Sequence, residues 1–351
     1  MNFNYPFILT SFFFLCFIFS LIINYILLKF VQTLGIRGKE AEQVRWNPKV
    51  KPALGGISFY VIFLFSFIVT ILISQKTDSF TWRVSGILIA STLAFLMGLA
   101  DDAFNTQPLL KFLTQVICAF VLIGSGHSIE IFQNQFLNYM LTVLWVVGIM
   151  NSINMLDNMD GITTIVSICI CLFMITLNIS LLKTNSYISI LNIGVAGGLC
   201  GFLIYNFHPS KMFMGDTGSQ FLGLFLAAMG IDNCWNIDVQ AEINNQHIIN
   251  FLLVGLVFLI PLTDTTTVVI NRMRIGQSPF VGGKDHTTHH LFFRGVTEKR
   301  IAILYFLLSS IAISFAYNLI FSYSILLVYG SIAFVLFVFL TLYLNTILRK
   351  K

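Results

Sequence analysis

The sequence predicts an all-α polytopic integral membrane protein of about eleven transmembrane helices, and three observations carry that expectation. Of 351 residues, 57% are hydrophobic and 10% charged, with a mean hydropathy of +0.86, a composition typical of membrane-spanning chains. Apolar windows of about 17 to 25 residues, long enough to cross the hydrocarbon core, recur eleven times. The titratable residues between them gather in a few short segments rather than scattering. One transmembrane domain covering 1–351 follows, with no large soluble appendage. The net charge of +5 is modest and gives no reason to expect a nucleic-acid partner.

The first window, near 7–29, precedes the first charge, Lys29, and is too long for a signal-peptide core. It reads as a retained span. A basic loop from Arg37 to Lys51 follows and enters the second span, 54–74, through Lys51-Pro52-Ala53-Leu54-Gly55-Gly56. Attraction to anionic headgroups is the bland account of such a loop. The third span, 83–100, runs into Asp101 and Asp102. Adjacent carboxylates repel and want a cation, a proton or a metal between them. Neighbours on a helix do not face each other, so one of the two is expected to reach a shared site. The fourth and fifth spans, 110–125 and 134–150, flank a short polar break.

The stretch from Asn151 to Gly161 then sets Asn151, Asn154, Asp157 and Asp160 at every third position before the sixth span, 161–182. Residues three apart are neighbours on a helix, so at least the first three should share a face. Carboxylates and amides near lipid mark function. After the seventh span, 188–206, comes Phe213-Met214-Gly215-Asp216-Thr217-Gly218-Ser219, before the eighth, 218–234. Glycines beside Asp216 allow close approach of a phosphate or metal, and the helix start offers amides to an anion. Asp232, Asp238 and Glu242 read as a solvated outer loop without adjacent Lys or Arg. The ninth span, 250–271, holds Asp264 between threonines, read as structural. Before the tenth and eleventh spans, 302–319 and 324–347, a loop combines Arg272, Arg274, Lys284, Asp285, His286, His289 and His290 with glycines. That composition suits phosphate; without cysteine it does not suit structural zinc. The six cysteines have no metal or redox spacing and read as apolar packing residues.

Segments 29–53, 101–111, 151–160, 207–217, 272–300 and 348–351 hold 17 of the 20 Lys and Arg. The positive-inside rule makes these cytoplasmic, with the N-terminus outside and the C-terminus inside. Every unusual polar motif falls on that face. Several carboxylates beside cations suit Mg²⁺ held by few protein oxygens and by substrate phosphates. No P-loop pattern is present.

Taken in order, Lys51-Pro-Ala-Leu-Gly-Gly, Asp101-Asp102, Asn151–Gly161, Phe213-Met-Gly-Asp216 and the histidine loop resemble the polyprenyl-phosphate N-acetylhexosamine-1-phosphate transferases of glycosyltransferase family 4, over nearly the whole chain. The resemblance implies transfer of a sugar-1-phosphate, first of all N-acetylglucosamine 1-phosphate, from a UDP-sugar to undecaprenyl phosphate in the bacterial inner membrane. UMP is released, and Mg²⁺ is required with Mn²⁺ as a substitute. Such a step opens cell-envelope polysaccharide synthesis, O-antigen included. By position, Asp216 resembles the principal Mg²⁺ ligand, with Asp157 a second candidate. Asp101 or Asp102 is similar to the carboxylate that deprotonates or positions the lipid phosphate. Asn151, Asn154, Asp157 and Asp160 resemble a polar floor under uridine and diphosphate. Phe213 would stack on uracil near Asn206. Lys51, Lys111 and Lys284 would contact phosphate, and His286, His289 and His290 would complete the pyrophosphate site, with His289 the catalytic candidate. A homodimer is compatible with this reading.

Two departures stand out. The common family pattern is Asp-Gly-x-Asp-Gly, whereas Asn158 stands here at the first glycine, a form that one branch carries. The histidines run Asp285-His286-Thr-Thr-His289-His290 rather than His-x-His-His, closer to the N-acetylglucosamine branch than to the phospho-MurNAc-pentapeptide translocase branch. Another UDP-N-acetylhexosamine or UDP-MurNAc-pentapeptide is the alternative donor. An ion-coupled transporter is the alternative of another class; it fits less well, because transporter sites sit near the midplane, often in repeats.

Overall fold

The computed structural model describes residues 4–34, 51–73, 78–181, 187–237, 246–278 and 282–347. Among them run thirteen α-helices and no strand: α1 (Asn4–Leu34), α2 (Gly55–Ile73), α3 (Asp78–Phe104), α4 (Pro108–Gly124), α5 (Gln135–Leu156), α6 (Ile162–Ser180), α7 (Tyr187–Asn206), α8 (Gly215–Gly230), α9 (Gln246–Val257), α10 (Leu259–Arg274), α11 (Thr287–Phe293), α12 (Glu298–Phe321) and α13 (Ile325–Ile347). The basic stretch from Arg37 to Lys49, Asp238, Glu242 and the terminal Arg349-Lys350-Lys351 lie outside the described residues.

All eleven predicted windows are helical, and eight of the described helices are long and apolar enough to cross a membrane. The chain is a multi-pass membrane protein. The other three windows differ from the expectation in instructive ways. The ninth is two helices, α9 and α10, bent by 81° at a short break. Pro261 explains it, because its ring blocks the bond to the carbonyl of Val257 one turn back. The fourth is only 17 residues, and the eighth is 16 residues extended by the π-helical turn Ile231–Trp235.

α8 is the axis of the bundle. Apart from Asp216, every one of its residues is buried, and it packs against α2, α3 and α5. Small residues make this closeness possible: a Cβ on Gly223 would stand 2.7 Å from the Cα of Met150 in α5. Gly215 opens the helix at φ +74°, where a Cβ would also meet Asp102 Oδ2 at 2.6 Å, so both backbone and space require glycine. Phe59, Phe63, Phe221 and Phe225 fill the α2–α8 seam.

The C-terminal ends of α3, α5, α7 and α10 and the N-terminal ends of α4, α6, α8 and α12 meet at one end of the bundle, joined by the contacts described below. At the opposite end the solvated reading of Asp232 is corrected. It sits in the π-helical turn with its side chain 9% exposed, 3.0 Å from Arg83 and 3.1 Å from His127. Arg83 is distant in sequence, and the π turn aims Asp232 inward, so no local signal announced the pair.

Candidate active site

Asp216, in the first turn of α8, is the centre of an acidic group built from four helices. Lys111 of α4 lies 3.2 Å from Asp216 Oδ2 and in direct contact with Asp101 of α3. Asn154 of α5 donates to Asp216 Oδ1 at 2.9 Å and to Ser219 Oγ at 2.8 Å. Asp102 turns elsewhere: it accepts from the amides of Asp216 (3.0 Å) and Thr217 (2.8 Å) and from the Thr217 hydroxyl (2.7 Å). It thus caps α8 from another helix, satisfying amides with no intrahelical partner. Asp101 is fixed on its other side by Thr106, whose amide and hydroxyl donate at 2.9 and 2.6 Å. The adjacent carboxylates take different partners, Asp101 the Lys111 ammonium and Asp102 the start of α8.

Three carboxylates around one ammonium leave excess negative charge. Asp216 is more accessible than Asp101, its side chain 25% exposed against 2%. This donor set fits a hard, largely hydrated divalent cation, which takes one or two carboxylates and completes its shell with water and substrate oxygens.

Asn151, Asn154 and Asp157 are the residues expected to share a face. Asn151 and Asn154 lie in the last turns of α5, where Asn151 donates to Gln115 of α4 at 2.8 Å. The helix ends at Leu156, so Asp157 and Asp160 follow the α5–α6 turn instead. Asp157 is half-buried at the C-cap position. Asp160 belongs to a second group: Ser210 donates to it through its amide (3.0 Å) and hydroxyl (2.7 Å), and Lys51 lies 3.4 Å away. The Lys51 ammonium also stands 4.9 Å from the ring centroid of Phe213. Phe213 is half-buried, and its segment is stitched to the Lys51 segment by backbone bonds from Phe213 N to Pro52 O (2.9 Å) and Gly55 N to Phe213 O (3.0 Å). Two motifs some 160 positions apart are thus one structural unit.

His208 Nδ1 lies 3.2 Å from Asp160 and 2.8 Å from Glu298, and these three residues hold ligand atoms within 4.8 Å of one another. A cation there would share Asp160 with Lys51, as one at Asp216 would share that carboxylate with Lys111; three carboxylates against one ammonium, rather than two, make the Asp216 group the better metal candidate. Asn206 is committed elsewhere: it accepts from Thr164 (2.7 Å) and donates to the carbonyl of Met212 (3.1 Å), shaping the 207–214 loop from behind.

The histidine loop is organised by Asp264, which has the structural role expected of it. Fully buried in α10, it accepts from the amide (2.8 Å) and hydroxyl (2.5 Å) of Thr287 and sits 2.8 Å from His286 Nδ1. This caps the unpredicted short helix α11. Arg272 grips Asp285 through two bonds of 2.7 and 2.8 Å and holds its carboxyl below the ordinary range despite the opposing effect of burial. Burial, reinforced by His286, pushes His289 down to about 4, so its imidazole is neutral near pH 7. His290 is half-buried and Lys284 exposed.

Reading the sequence missed Gln115, Ser210, His208 and Glu298. Gln115 could have been found, since it stands four residues after Lys111 on one helical face. The other three lacked a local signal.

Acidic and basic side chains converge at one end of an apolar helical bundle, and comparison with known proteins makes this a polytopic membrane sugar-phosphate transferase. The chain belongs to glycosyl transferase family 4, whose profile matches residues 84–233, from Asp101 through Asp216. A probable undecaprenyl-phosphate N-acetylglucosaminyl 1-phosphate transferase of Bacillus subtilis is 27% identical, over 84% of this chain and 81% of that protein. A decaprenyl-phosphate N-acetylglucosaminephosphotransferase of Mycolicibacterium smegmatis is 28% identical, over 82% and 77% respectively. A phospho-N-acetylmuramoyl-pentapeptide-transferase of Carboxydothermus hydrogenoformans is 30% identical, over 75% and 82%.

Proposed function

We propose that this enzyme transfers N-acetylglucosamine 1-phosphate from UDP-N-acetylglucosamine to undecaprenyl phosphate at the cytoplasmic face of a bacterial inner membrane, as the first membrane step of a cell-envelope polysaccharide. The observation that carries the reading is the juxtaposition of Asp101, Lys111, Asn154 and Asp216, with Phe213 only three residues from Asp216. The names of the relatives support the donor and the lipid class. The Lys and Arg distribution supports the orientation.

In this reaction an oxygen of the lipid phosphate attacks the phosphorus bearing the sugar. The new O–P bond replaces the bond to the uridylyl oxygen, and UMP leaves with that electron pair. Two anions must meet, so charge neutralisation and positioning are the main tasks. Mg²⁺, held by Asp216 with Asp157 as a second candidate, would supply Lewis-acid charge neutralisation when bound. Lys111 presents an ammonium where the acceptor phosphate arrives, and Asp101 holds that ammonium in place. Asn154 fixes the rotamer of Asp216, and Asp102 fixes the start of α8 beneath it. Phe213 offers its face to uracil, while Lys51 and Asp160 offer a donor and an acceptor at its edge. Neutral His289, with His286, His290 and Lys284, closes the pyrophosphate side.

The test is an assay of purified protein with undecaprenyl phosphate, Mg²⁺ and a panel of UDP-sugars that includes UDP-MurNAc-pentapeptide. UMP release and a lipid-linked product with UDP-N-acetylglucosamine, abolished by EDTA, are expected. Turnover with another donor alone would reassign the substrate. No turnover with any donor, from folded protein, would overturn the reading.

A further inference from the structure

Asn158 stands where the common family pattern has glycine, and its side chain makes a contact that glycine could not make. Its carbonyl oxygen accepts from the hydroxyl of Thr288 at 2.6 Å, across 130 positions, and its amide nitrogen donates to the carbonyl of Met155 at 2.9 Å. The second bond fixes the orientation of the amide, since only the NH₂ group can serve a carbonyl. The first bond therefore has a defined direction.

We propose that Asn158 and Thr288 form a latch that couples the histidine-bearing helix α11 to the α5–α6 turn, making Asn158 a positioning residue for the histidine side of the site. Its kinetic consequence rests on the transferase reading above; its structural part does not. Seven residues are too few to hold a helix by their own backbone bonds, so external anchors decide where α11 sits. Asp264 and Arg272 anchor its start, and both belong to α10. Tyr305 of α12 adds a bond of 2.7 Å to Thr287. These contacts place α11 against α10 and α12, and none of them reaches the α5–α6 turn that carries Asp157 and Asp160. Thr288 supplies that link. It is fully buried, so its hydroxyl requires an internal acceptor, and Asn158 is the acceptor it has. His289 and His290 follow directly in sequence, so the latch sets their place relative to the turn.

Four variants test this: Thr288→Val, which keeps shape and loses the donor, Thr288→Ser, which keeps the donor, Asn158→Ala, and the Asn158→Ala/Thr288→Val double variant. Amide hydrogen exchange of residues 284–293 reports the latch without any need for activity, and steady-state kinetics report its use. One neutral hydrogen bond changes an equilibrium by about fivefold. Thr288→Val and Asn158→Ala are each expected to speed exchange in α11 by about that factor and to raise KM for the UDP-sugar about fivefold, with kcat within about twofold. Thr288→Ser should restore both values, and the double variant should be no worse than the more affected single one. Unchanged exchange in Thr288→Val, or additive losses in the double variant, would overturn the latch. Altered exchange with equal loss of kcat and kcat/KM would overturn its positioning role. If the unmodified protein turns over no donor, the transferase reading fails, and the exchange measurement alone still decides the latch.

Discussion

At one end of α3, Arg83 meets Asp232 and His127; at the other, ~27 Å away at the rise of an α-helix, Asp101 meets Lys111 and Asp216. The first group is closed. One guanidinium faces one carboxylate, His127 also reaches the Arg83 carbonyl at 3.2 Å, and Asn236 ties the neighbouring loop through Ser128 O (2.7 Å) and Glu130 N (2.9 Å). The second group is open. Its carboxylates outnumber its ammonium, and Asp216 and Lys111 are each about a quarter exposed. A balanced group holds helices together, whereas an unbalanced one at an accessible helix end is arranged for something that arrives.

The comparison breaks most visibly at Asp216. Asp216→Asn keeps the shape and the contact with Asn154 while removing the charge. Activity should fall on the order of 10³-fold, the scale of losing a principal electrostatic contact in the transition state, with the melting temperature little changed. UMP release and thermal unfolding of the same preparation check both halves. Near-normal Mg²⁺-dependent turnover would remove Asp216 from the centre of the site.

A second contrast lies inside the histidine loop and concerns pH. The folded value of His289 is about 4, against about 6.5 for an unperturbed imidazole. Between those values the unfolded chain binds more protons than the folded one, so stability rises with pH. The contribution is fully present above about pH 6.5 and is lost as pH falls toward 4. His286, His290, Asp264 and Asp285 face the same imidazole. Asp285 acts in a different window: its lowered value makes its contribution disappear only below the ordinary carboxylate range, about 3.9. Melting temperatures at pH 7 and 4.5 should therefore drop more for the native protein than for His289→Gln. Equal drops would place the acid sensitivity elsewhere.

Within the site, the Phe213 group should separate from the Asp216 group kinetically. Lys51→Ala and Asp160→Asn touch the proposed nucleoside contacts and not the reacting phosphorus. Each should raise KM for the UDP-sugar about tenfold, roughly 1.4 kcal/mol, with kcat much less affected. A fall in kcat at unchanged KM would join the two groups into one.

Most of the scaffold was legible because apolar length is a strong signal: all eleven windows are helices, and the odd one, α9–α10, breaks where Pro261 lies within it. The site was legible as a set of motifs on one face but not as a geometry. Nothing in the run Asn151 to Asp160 says that the helix stops at Leu156, so the spacing could not place Asp160, which joins the Lys51 and Ser210 group. Asp101 and Asp102 look equivalent in sequence; only the position of α8 makes one a cap. His208, just past the end of α7, and Glu298, at the start of α12, meet because α6 packs against both helices, which no local pattern encodes, and Arg83 with Asp232 is likewise a tertiary pair.

That last pair supplies the smallest effect and the sharpest control. Asp232→Asn removes a carboxylate from the closed group. Because the Arg83 side chain is 41% exposed, solvent screens the pair, and its loss should cost about 1 kcal/mol or less rather than the larger cost of stranding a buried charge. The opposite end of α3 should not register it: kcat and KM should stay within about twofold of the native enzyme while the melting temperature falls. Arg83→Gln should lower stability similarly, and the Asp232→Asn/Arg83→Gln double variant should lose less than the sum of the two, since one interaction cannot be removed twice. A loss of turnover beyond that range would mean that the π-helical turn transmits its state along α8 to Asp216, and the two ends would no longer be independent.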